Sequence, residues 1–116
     1  MTSDEVIASY RAFLTEAGET VAIRRYTGSG STRTPVDTNA LGRIVAFEPH
    51  ELVGLVIQGD QKAIVFAKDL TDAGFEEPIR DSDKLVVRGN EFAIQAVDDN
   101  TRRVGSTLIA YELQVR

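Results

Sequence analysis

The fold of this chain is decided by the stretch Lys84-Leu85-Val86-Val87-Arg88-Gly89-Asn90-Glu91-Phe92-Ala93-Ile94-Gln95-Ala96-Val97. Two runs rich in β-branched and apolar residues flank the pair Gly89-Asn90. Such a pair favours a two-residue primed turn, because the twist of that turn matches the twist of the strands beside it. The stretch therefore predicts a β-hairpin and makes β structure the first expectation for the chain.

Further strands are predicted on both sides of this hairpin, where apolar and polar residues alternate or β-formers cluster. The segments are residues 20–26, 41–47, 63–66 and 107–115. Residues 48–51 and 58–61 resemble turns, and residues 52–57 form a short apolar run. Residues 69–83 carry six acidic residues, Gly74 and Pro78, so we expect them to cross the surface.

The first segment has the pattern of an amphipathic helix over residues 2–18. Thr2 and Glu5 have the spacing of a capping box, and Gly18 is a natural stop. Five apolar residues recur with the helical period and predict a face that packs on the core. They are Val6, Tyr10, Phe13, Leu14 and Ala17.

Together these segments predict a mainly β protein, and 116 residues with 42% hydrophobic residues suffice for one domain with a core. We expect a small antiparallel β-barrel or sandwich of about six or seven strands, preceded by the helix. The single domain would span residues 1–116, with the barrel over 19–116 and a flexible loop over 27–38.

The predicted loop has a composition rich in glycine, serine and threonine. It lacks the third glycine of a dinucleotide-binding motif and the Lys-Ser/Thr of a phosphate loop, and no helix pattern follows it. We expect it to become ordered against a neighbouring subunit. With the Arg24-Arg25 and Arg102-Arg103 pairs it supplies the candidate residues for a protein interface or a channel loop. They are Arg24, Tyr26, Gly28, Ser29, Gly30, Ser31, Arg33, Arg102 and Arg103.

Residues with catalytic or ligating chemistry are few. The chain has no cysteine and one histidine, His50, which no second histidine accompanies. Three carboxylate pairs lie in turn-like sequence, where burial is not expected: Glu76-Glu77, Asp81 with Asp83, and Asp98-Asp99. We therefore expect no catalytic, cofactor-binding or metal-binding residue and no enzyme activity.

Charge and hydropathy bear on the partners and the location. The net charge of −5 disfavours nucleic acid as the main partner, because binding phosphates needs a basic excess. The acidic start does not fit a signal peptide, and no apolar run reaches the length of a membrane span, so we expect neither export nor a membrane.

The hairpin pattern resembles that of phage head–tail connector proteins of the head-closure, or stopper, type. Residues 83–97 and 105–116 carry most of the resemblance, and residues 21–28 and 51–70 add to it. These segments are similar to the proteobacterial version of the family, which occurs in phages, prophages and gene transfer agents. The resemblance covers the chain from about residue 20 onward and consists of hairpin patterning.

The resemblance implies a β-barrel subunit of the virion neck, assembled in the bacterial cytoplasm. Copies would form a ring of six or twelve between the portal–adaptor and tail proteins, and the ring would close the DNA-filled head. A loop of such proteins helps to block the channel, which points to residues 27–34 here and to non-specific contact with packaged DNA.

Three alternatives stay open. The N-terminal helix is not required in a minimal head-closure barrel, which leaves a tail-terminator type of neck protein. A stand-alone β-barrel that binds a peptide or nucleic acid is the second alternative. A small enzyme that uses one of the carboxylate pairs is the third.

Overall fold

The structure, a computed structural model, describes residues 1–46 and 60–116. Its helices are α1 (Ser3–Ala17) and α2 (Ala67–Asp72). Its strands are β1 (Glu19–Thr27), β2 (Thr34–Ala46), β3 (Gln61–Phe66), β4 (Lys84–Val87), β5 (Asn90–Asp98), β6 (Arg103–Val104), β7 (Thr107–Leu108) and β8 (Ala110–Val115).

Six of these strands form a closed antiparallel barrel in the order β1-β2-β3-β8-β5-β4, and β4 returns to pair with β1. Closure removes most of the free strand edges that an open sheet would leave. The remaining strands, β6 and β7, form a separate two-stranded ribbon. The predicted mainly β fold, with a barrel and one N-terminal helix, is confirmed.

Alternate residues of the strands fill the inside of the barrel. Their side chains are buried almost completely. Each Å² of apolar surface that they remove from water stabilises the folded chain by about 25 cal/mol. The core includes Val21, Ile23, Ala63, Val65, Leu85, Val87, Ile94, Leu113 and Val115.

Helix α1 begins at the predicted capping box. The Glu5 amide donates to Thr2 Oγ1 at 3.2 Å, and the Thr2 amide donates to Glu5 Oε1 at 2.9 Å. The helix ends at Gly18, where a Cβ atom would lie 2.4 Å from the carbonyl oxygen of Gly42. Glycine is therefore required where the helix meets β2.

The prediction that the apolar face of α1 packs into the core is wrong for most of its residues. Only Leu14 is buried, and Phe13 is 48% exposed with the Arg43 guanidinium 5.3 Å from the centre of its ring. Arg43 and Ile64 are cross-strand partners that point out of the barrel. The helix lies against β2 on this outer wall, with the Arg11 guanidinium 4.9 Å from the centre of the Phe66 ring.

The predicted loop over residues 27–38 was too long, because β2 begins at Thr34. The connection between β1 and β2 is residues 28–33, of which Gly30–Thr32 form a 3-10 turn. The side chains of residues 34–37 are all exposed. This part of β2 therefore shows no alternation of buried and exposed residues, and only its backbone pairing with β1 identifies it as a strand.

The predicted strands at 20–26 and 63–66 are confirmed as parts of β1 and β3. The predicted strand at 41–47 is the second half of β2 as far as Ala46; Phe47 lies outside the described residues. Also outside the described residues are the predicted turn at 48–51 with His50, the apolar run at 52–57, and residues 58 and 59 of the next predicted turn.

The β4–β5 hairpin is confirmed, with its turn one residue earlier than predicted. Val87 pairs with Asn90, so Arg88 and Gly89 are the two turn residues, with φ of 50° and 80°. Both values are positive, as a type I′ turn requires.

Two short elements were not predicted. The acidic connection begins with helix α2, which starts directly after β3. The predicted strand at 107–115 is divided at Ile109, whose amide donates to the Arg102 carbonyl at 2.9 Å and whose carbonyl accepts from the Ala67 amide at 3.1 Å. Because Ile109 makes these bonds, it is not part of the β3–β8 pairing, which begins at Ala110. The residues before it form β7, which pairs with β6.

Candidate functional site

The outer part of the β1–β2 hairpin extends past its neighbouring strands, and we call residues 25–37 the arm. β4 pairs with β1 only at residues 22–24, and β3 pairs with β2 only from Gly42 onward. Among the described residues, no other strand pairs with the arm. It is therefore a two-stranded extension of an otherwise closed wall.

The arm has one exposed edge along β2. The Leu41 amide points to this edge and donates to Asp69 Oδ2 at 2.9 Å. The backbone groups of successive strand residues point to alternate sides, so the backbone nitrogens of Pro35, Asp37 and Asn39 face the same edge as that of Leu41. Proline has no backbone N–H to donate, and an edge position of this kind is where proline usually occurs in a sheet. The edge is thus partly protected by Pro35 and by the cap from Asp69.

The outer face of the arm carries a network of polar side chains. Arg24 donates to both carboxylate oxygens of Asp37, at 2.8 and 3.0 Å, and to Glu91 Oε2 at 3.2 Å. The Tyr26 hydroxyl donates to the same Glu91 oxygen at 2.6 Å. The Arg33 guanidinium lies 3.8 Å from the centre of the Tyr26 ring. The network ties both strands of the arm to β5.

These contacts lower the pKa values of both acids in the network, Asp37 and Glu91. The hydrogen bonds from Arg24 lower the pKa of Asp37. The hydrogen bond from Tyr26, with help from Arg24, lowers the pKa of Glu91. The two carboxylates raise the pKa of Arg24 in return. All three groups are charged at neutral pH, and each already has an internal partner.

The inner base of the arm is held by Arg25, which sequence reasoning placed only in a surface pair. Its guanidinium donates to the two carboxylate oxygens of Asp83 at 2.8 and 2.7 Å and to the carbonyls of Glu76 and Pro78 at 2.7 and 3.1 Å. It also lies 4.5 Å from the centre of the Phe75 ring. Asp83 is only 1% exposed, so this is a buried ion pair.

Beside Arg25 lies a groove of about 190 Å³ between the arm and the segment after α2. Val36, which is 51% exposed, and Phe75 supply much of its apolar surface. Glu76 stands on its rim. The arm thus presents Val36 on its inner face, in the groove that Phe75 also lines, and a polar network on its outer face.

The candidate loop residues lie at the tip of the arm and are exposed: Gly28, Ser29, Gly30, Ser31 and Arg33. Gly28 and Gly30 have φ of 83° and 56°, where other residues are strained. The Thr32 hydroxyl closes the turn on the Ser29 carbonyl at 2.7 Å. The structure brings these residues together with Arg24 and Tyr26.

The other two candidate residues, Arg102 and Arg103, lie elsewhere, beside α1 and the β6–β7 ribbon. Arg102 donates to the Tyr10 hydroxyl at 3.0 Å and to Glu112 at 3.1 Å, and its Nε is buried with no acceptor among the described residues. Arg103 donates to the carbonyls of Asp99 and Ser106 at 2.7 and 2.8 Å.

A cleft of about 360 Å³ opens at this place, and we call it the Arg102 cleft. Polar donors and apolar side chains share its walls. It is lined by Val6, Tyr10, Thr101, Arg102, Arg103, Val104 and Ile109.

One acid of each carboxylate pair has a structural partner, and in the first pair Glu77 accepts from the Thr71 hydroxyl at 3.3 Å. Asp98 accepts from the amides of Asn100 and Thr101 and from the Thr101 hydroxyl, which lowers its pKa. Asp83 is bound by Arg25, and the expectation that these acids are not buried is wrong for Asp83, which is 1% exposed. No group of three or more residues in the described ranges 1–46 and 60–116 has the arrangement of a metal site. No helix in those ranges combines the length and apolar character that crossing a membrane requires.

No protein-family model matches this chain, and the comparison with curated proteins finds no significant match.

Proposed function

We propose that this chain is a structural connector of a phage-like neck, which joins a DNA-filled head to a tail. The proposal follows from the resemblance in residues 83–97 and 105–116 to head-closure proteins. The observation that supports it most is the arm: a closed barrel with one projecting hairpin suits a subunit that contacts neighbours on several sides.

The arm has the features of a contact element. Its base is fixed by the buried Arg25–Asp83 pair and its outer face by the Arg24 network. A partner therefore meets a preorganised hairpin and loses less conformational entropy than it would with a free loop. The exposed Val36 and the partly open β2 edge give that partner apolar surface and backbone groups to bind.

In this role the protein acts by docking in the virion neck, with portal–adaptor and tail proteins as partners and copies of itself in a ring. The tip of the arm carries one cation, Arg33, and no acidic residue between Gly28 and Thr34. A tip of this kind tolerates the phosphates of packaged DNA in a channel, although the whole chain is acidic.

The test is assembly with purified neck components. The intact chain is mixed with a portal–adaptor assembly and, separately, with a tail-tube assembly, and native mass spectrometry records the complexes. We expect a stable complex with the portal–adaptor assembly. Binding to the tail-tube assembly alone would favour the tail-terminator alternative, and binding to neither would overturn the proposal.

A matched variant tests whether the arm carries the contact. Residues 26–35 are replaced by Asn-Gly, which joins the cross-strand pair Arg25 and Val36 by a two-residue turn. The barrel core is untouched, so the variant should unfold at nearly the same urea concentration. It should bind the portal–adaptor assembly at least tenfold more weakly; unchanged binding would contradict a role for the arm.

A further inference from the structure

The free edge of β2 carries backbone groups that point away from the barrel wall. The N–H and C=O of Asp37 and Asn39 face away from β1, as the Leu41 amide does. Within residues 1–46 and 60–116, no backbone group pairs with them on that side. A row of unpaired N–H and C=O groups on a sheet edge is a template for one more strand.

The free stretch of this edge is closed at both ends. At one end, Pro35 has a carbonyl to offer but no N–H. At the other end, Asp69 of α2 accepts from the Leu41 amide at 2.9 Å, and β3 occupies the edge from Gly42 onward. The stretch that remains covers residues 35–39, so it matches an extended segment of about five residues.

The groove beside this stretch decides which side chains such a segment carries. Val36 is 51% exposed and faces the groove of about 190 Å³ that Gly74 and Phe75 also line. A Cβ atom built on Gly74 would meet nothing within 4 Å, so the groove is open at that point. Residues directly opposite each other on paired strands pack side by side, which favours an apolar residue opposite Val36.

The charges around the edge favour an uncharged segment. Asp37 binds Arg24 at 2.8 Å, and Asp69 binds Arg11 at 3.2 Å. Both acids beside the free stretch thus have a cation already. Glu76, on the rim of the groove, forms no ion pair with a described residue, which disfavours an acidic segment.

The same edge of a second copy makes a poor partner strand in each antiparallel register. With Asp37 opposite Asn39, Thr34 falls opposite Gly42, where β3 already pairs. With Asp37 opposite Asp37, like charges face each other. With Pro35 opposite Asp37, the Asp37 carbonyl meets no N–H. A segment of a different protein therefore suits the edge better than the edge of a second copy.

We infer that residues 35–39 of β2 receive an extended, uncharged segment of a partner protein as an additional antiparallel strand. One residue of the segment exchanges N–H and C=O bonds with Asp37, and the residue two positions away does so with Asn39. The residue opposite Val36 is apolar and enters the groove beside Phe75. This inference rests on the proposed function, in which the arm contacts a partner, and names the kind of segment bound.

The test begins with a library of random peptides displayed on messenger RNA and selected on the intact chain. We expect the recovered peptides to carry apolar residues at alternate positions and no acidic residue between them. Failure to recover any peptide that binds the chain would contradict the inference.

Two substitutions at one position show whether the recovered peptides use the edge. Asn39→Pro removes an N–H from the edge and no bond to β1, because this amide points away from β1. Asn39→Ala keeps the N–H and is the matched control. Asn39→Pro should weaken binding at least tenfold, and Asn39→Ala should change it by about twofold or less. Equal affinities for the two variants would overturn the inference.

Hydrogen exchange of the unaltered chain gives a second readout that does not depend on a variant. The amides of Asp37 and Asn39 should exchange freely in the chain alone and become protected at least tenfold when a selected peptide is bound. The amides of Val36 and Thr38, which point toward β1, should change much less. A peptide with N-methyl groups on the residues that pair with Asp37 and Asn39 should lose its binding. Binding without protection of these two amides would place the peptide elsewhere and refute the inference.

The remaining outcomes separate the occupants and the two proposals. Protection of Asp37 and Asn39 that rises with chain concentration, without peptide, would show that a second copy occupies the edge and that the inferred partner is wrong. If a portal–adaptor assembly binds Asn39→Pro and Asn39→Ala equally and no peptide uses the edge, the inference is wrong and the proposed function stands. If peptides bind the edge but neither neck assembly binds the chain, the proposed function is wrong and the edge site stands.

Discussion

The β1–β2 and β4–β5 hairpins differ in what lies around them. The β4–β5 hairpin has a two-residue turn, and both its strands have further neighbours in the barrel. The β1–β2 hairpin has a six-residue connection and extends past its neighbours as the arm. The β4–β5 hairpin is built on buried core residues and has ion pairs only on its surface, at Arg88 and Glu91. The outer half of the β1–β2 hairpin has few core residues and depends on ion pairs at its base and face.

The largest expected effect concerns the base of the arm. Asp83→Ala leaves the buried Arg25 guanidinium without its carboxylate, and breaking a buried pair in this way costs about 3–5 kcal/mol. We expect the free energy of unfolding to fall by about 3 kcal/mol in urea titrations. Asp37→Ala removes the exposed partner of Arg24 and is the control. A loss no larger than that of Asp37→Ala would show that Arg25 and Asp83 do not anchor the arm.

The next effect compares one valine in each hairpin. Val87 on β4 is 1% exposed and Val36 on β2 is 51% exposed. Val87→Ala removes two buried methyl groups and should cost about 2 kcal/mol. Val36→Ala should change stability by about 0.5 kcal/mol or less. Thermal and urea unfolding measure both, and equal losses would mean that the arm is packed like the core.

The sequence predicted the β4–β5 hairpin well because its signals were local. Gly89 within a run of β-formers is sufficient to predict a tight turn, and the residue shift arose because Arg88 adopts a positive φ that its residue type does not favour. The helix was equally predictable from Thr2, Glu5 and Gly18, since capping involves residues within a few positions of one another.

The arm and the candidate site were harder to predict for a physical reason. Residues 34–37 are exposed on both faces, so no alternation marks them as a strand, and Pro35 suggested a loop. Arg24 and Tyr26, both among the candidate residues, lie on one face of β1 and bind the same Glu91 oxygen. The partners Asp83 and Glu91 are more than 50 residues away in sequence, and only the closed register of β4 on β1 brings them close.

A smaller effect is expected at the β4–β5 turn. Arg88 has φ of 50°, which costs a residue with an ordinary side chain about 1 kcal/mol. Asparagine tolerates this conformation, so Arg88→Asn should raise the free energy of unfolding by about 0.5–1 kcal/mol. Arg33→Asn at the arm tip, where φ is −64°, is the control and should give no gain. Equal changes at both sites would contradict the turn geometry.

The smallest effect is a dependence of the arm on pH. The pKa values of Asp37 and Glu91 are lowered in the folded chain from ordinary values of 3.8 and 4.5. The stabilisation they give is therefore complete above those ordinary values and is lost as the pH falls through the lower folded values. Because the network lies on the arm, its loss should loosen the arm before it affects the β4–β5 hairpin.

Amide hydrogen exchange resolves this difference residue by residue. Val36 and Thr38 point their amides toward β1, and their protection factors, corrected for intrinsic exchange, should fall about threefold between pH 6 and pH 3. Amides of Leu85 and Val87 in the other hairpin should keep theirs. Arg24→Gln should lower the protection of Val36 and Thr38 already at pH 6 and remove most of the pH dependence. An equal loss of protection in both hairpins would instead mean that acid weakens the barrel as a whole. The arm would then depend on surface charge no more than the β4–β5 hairpin does.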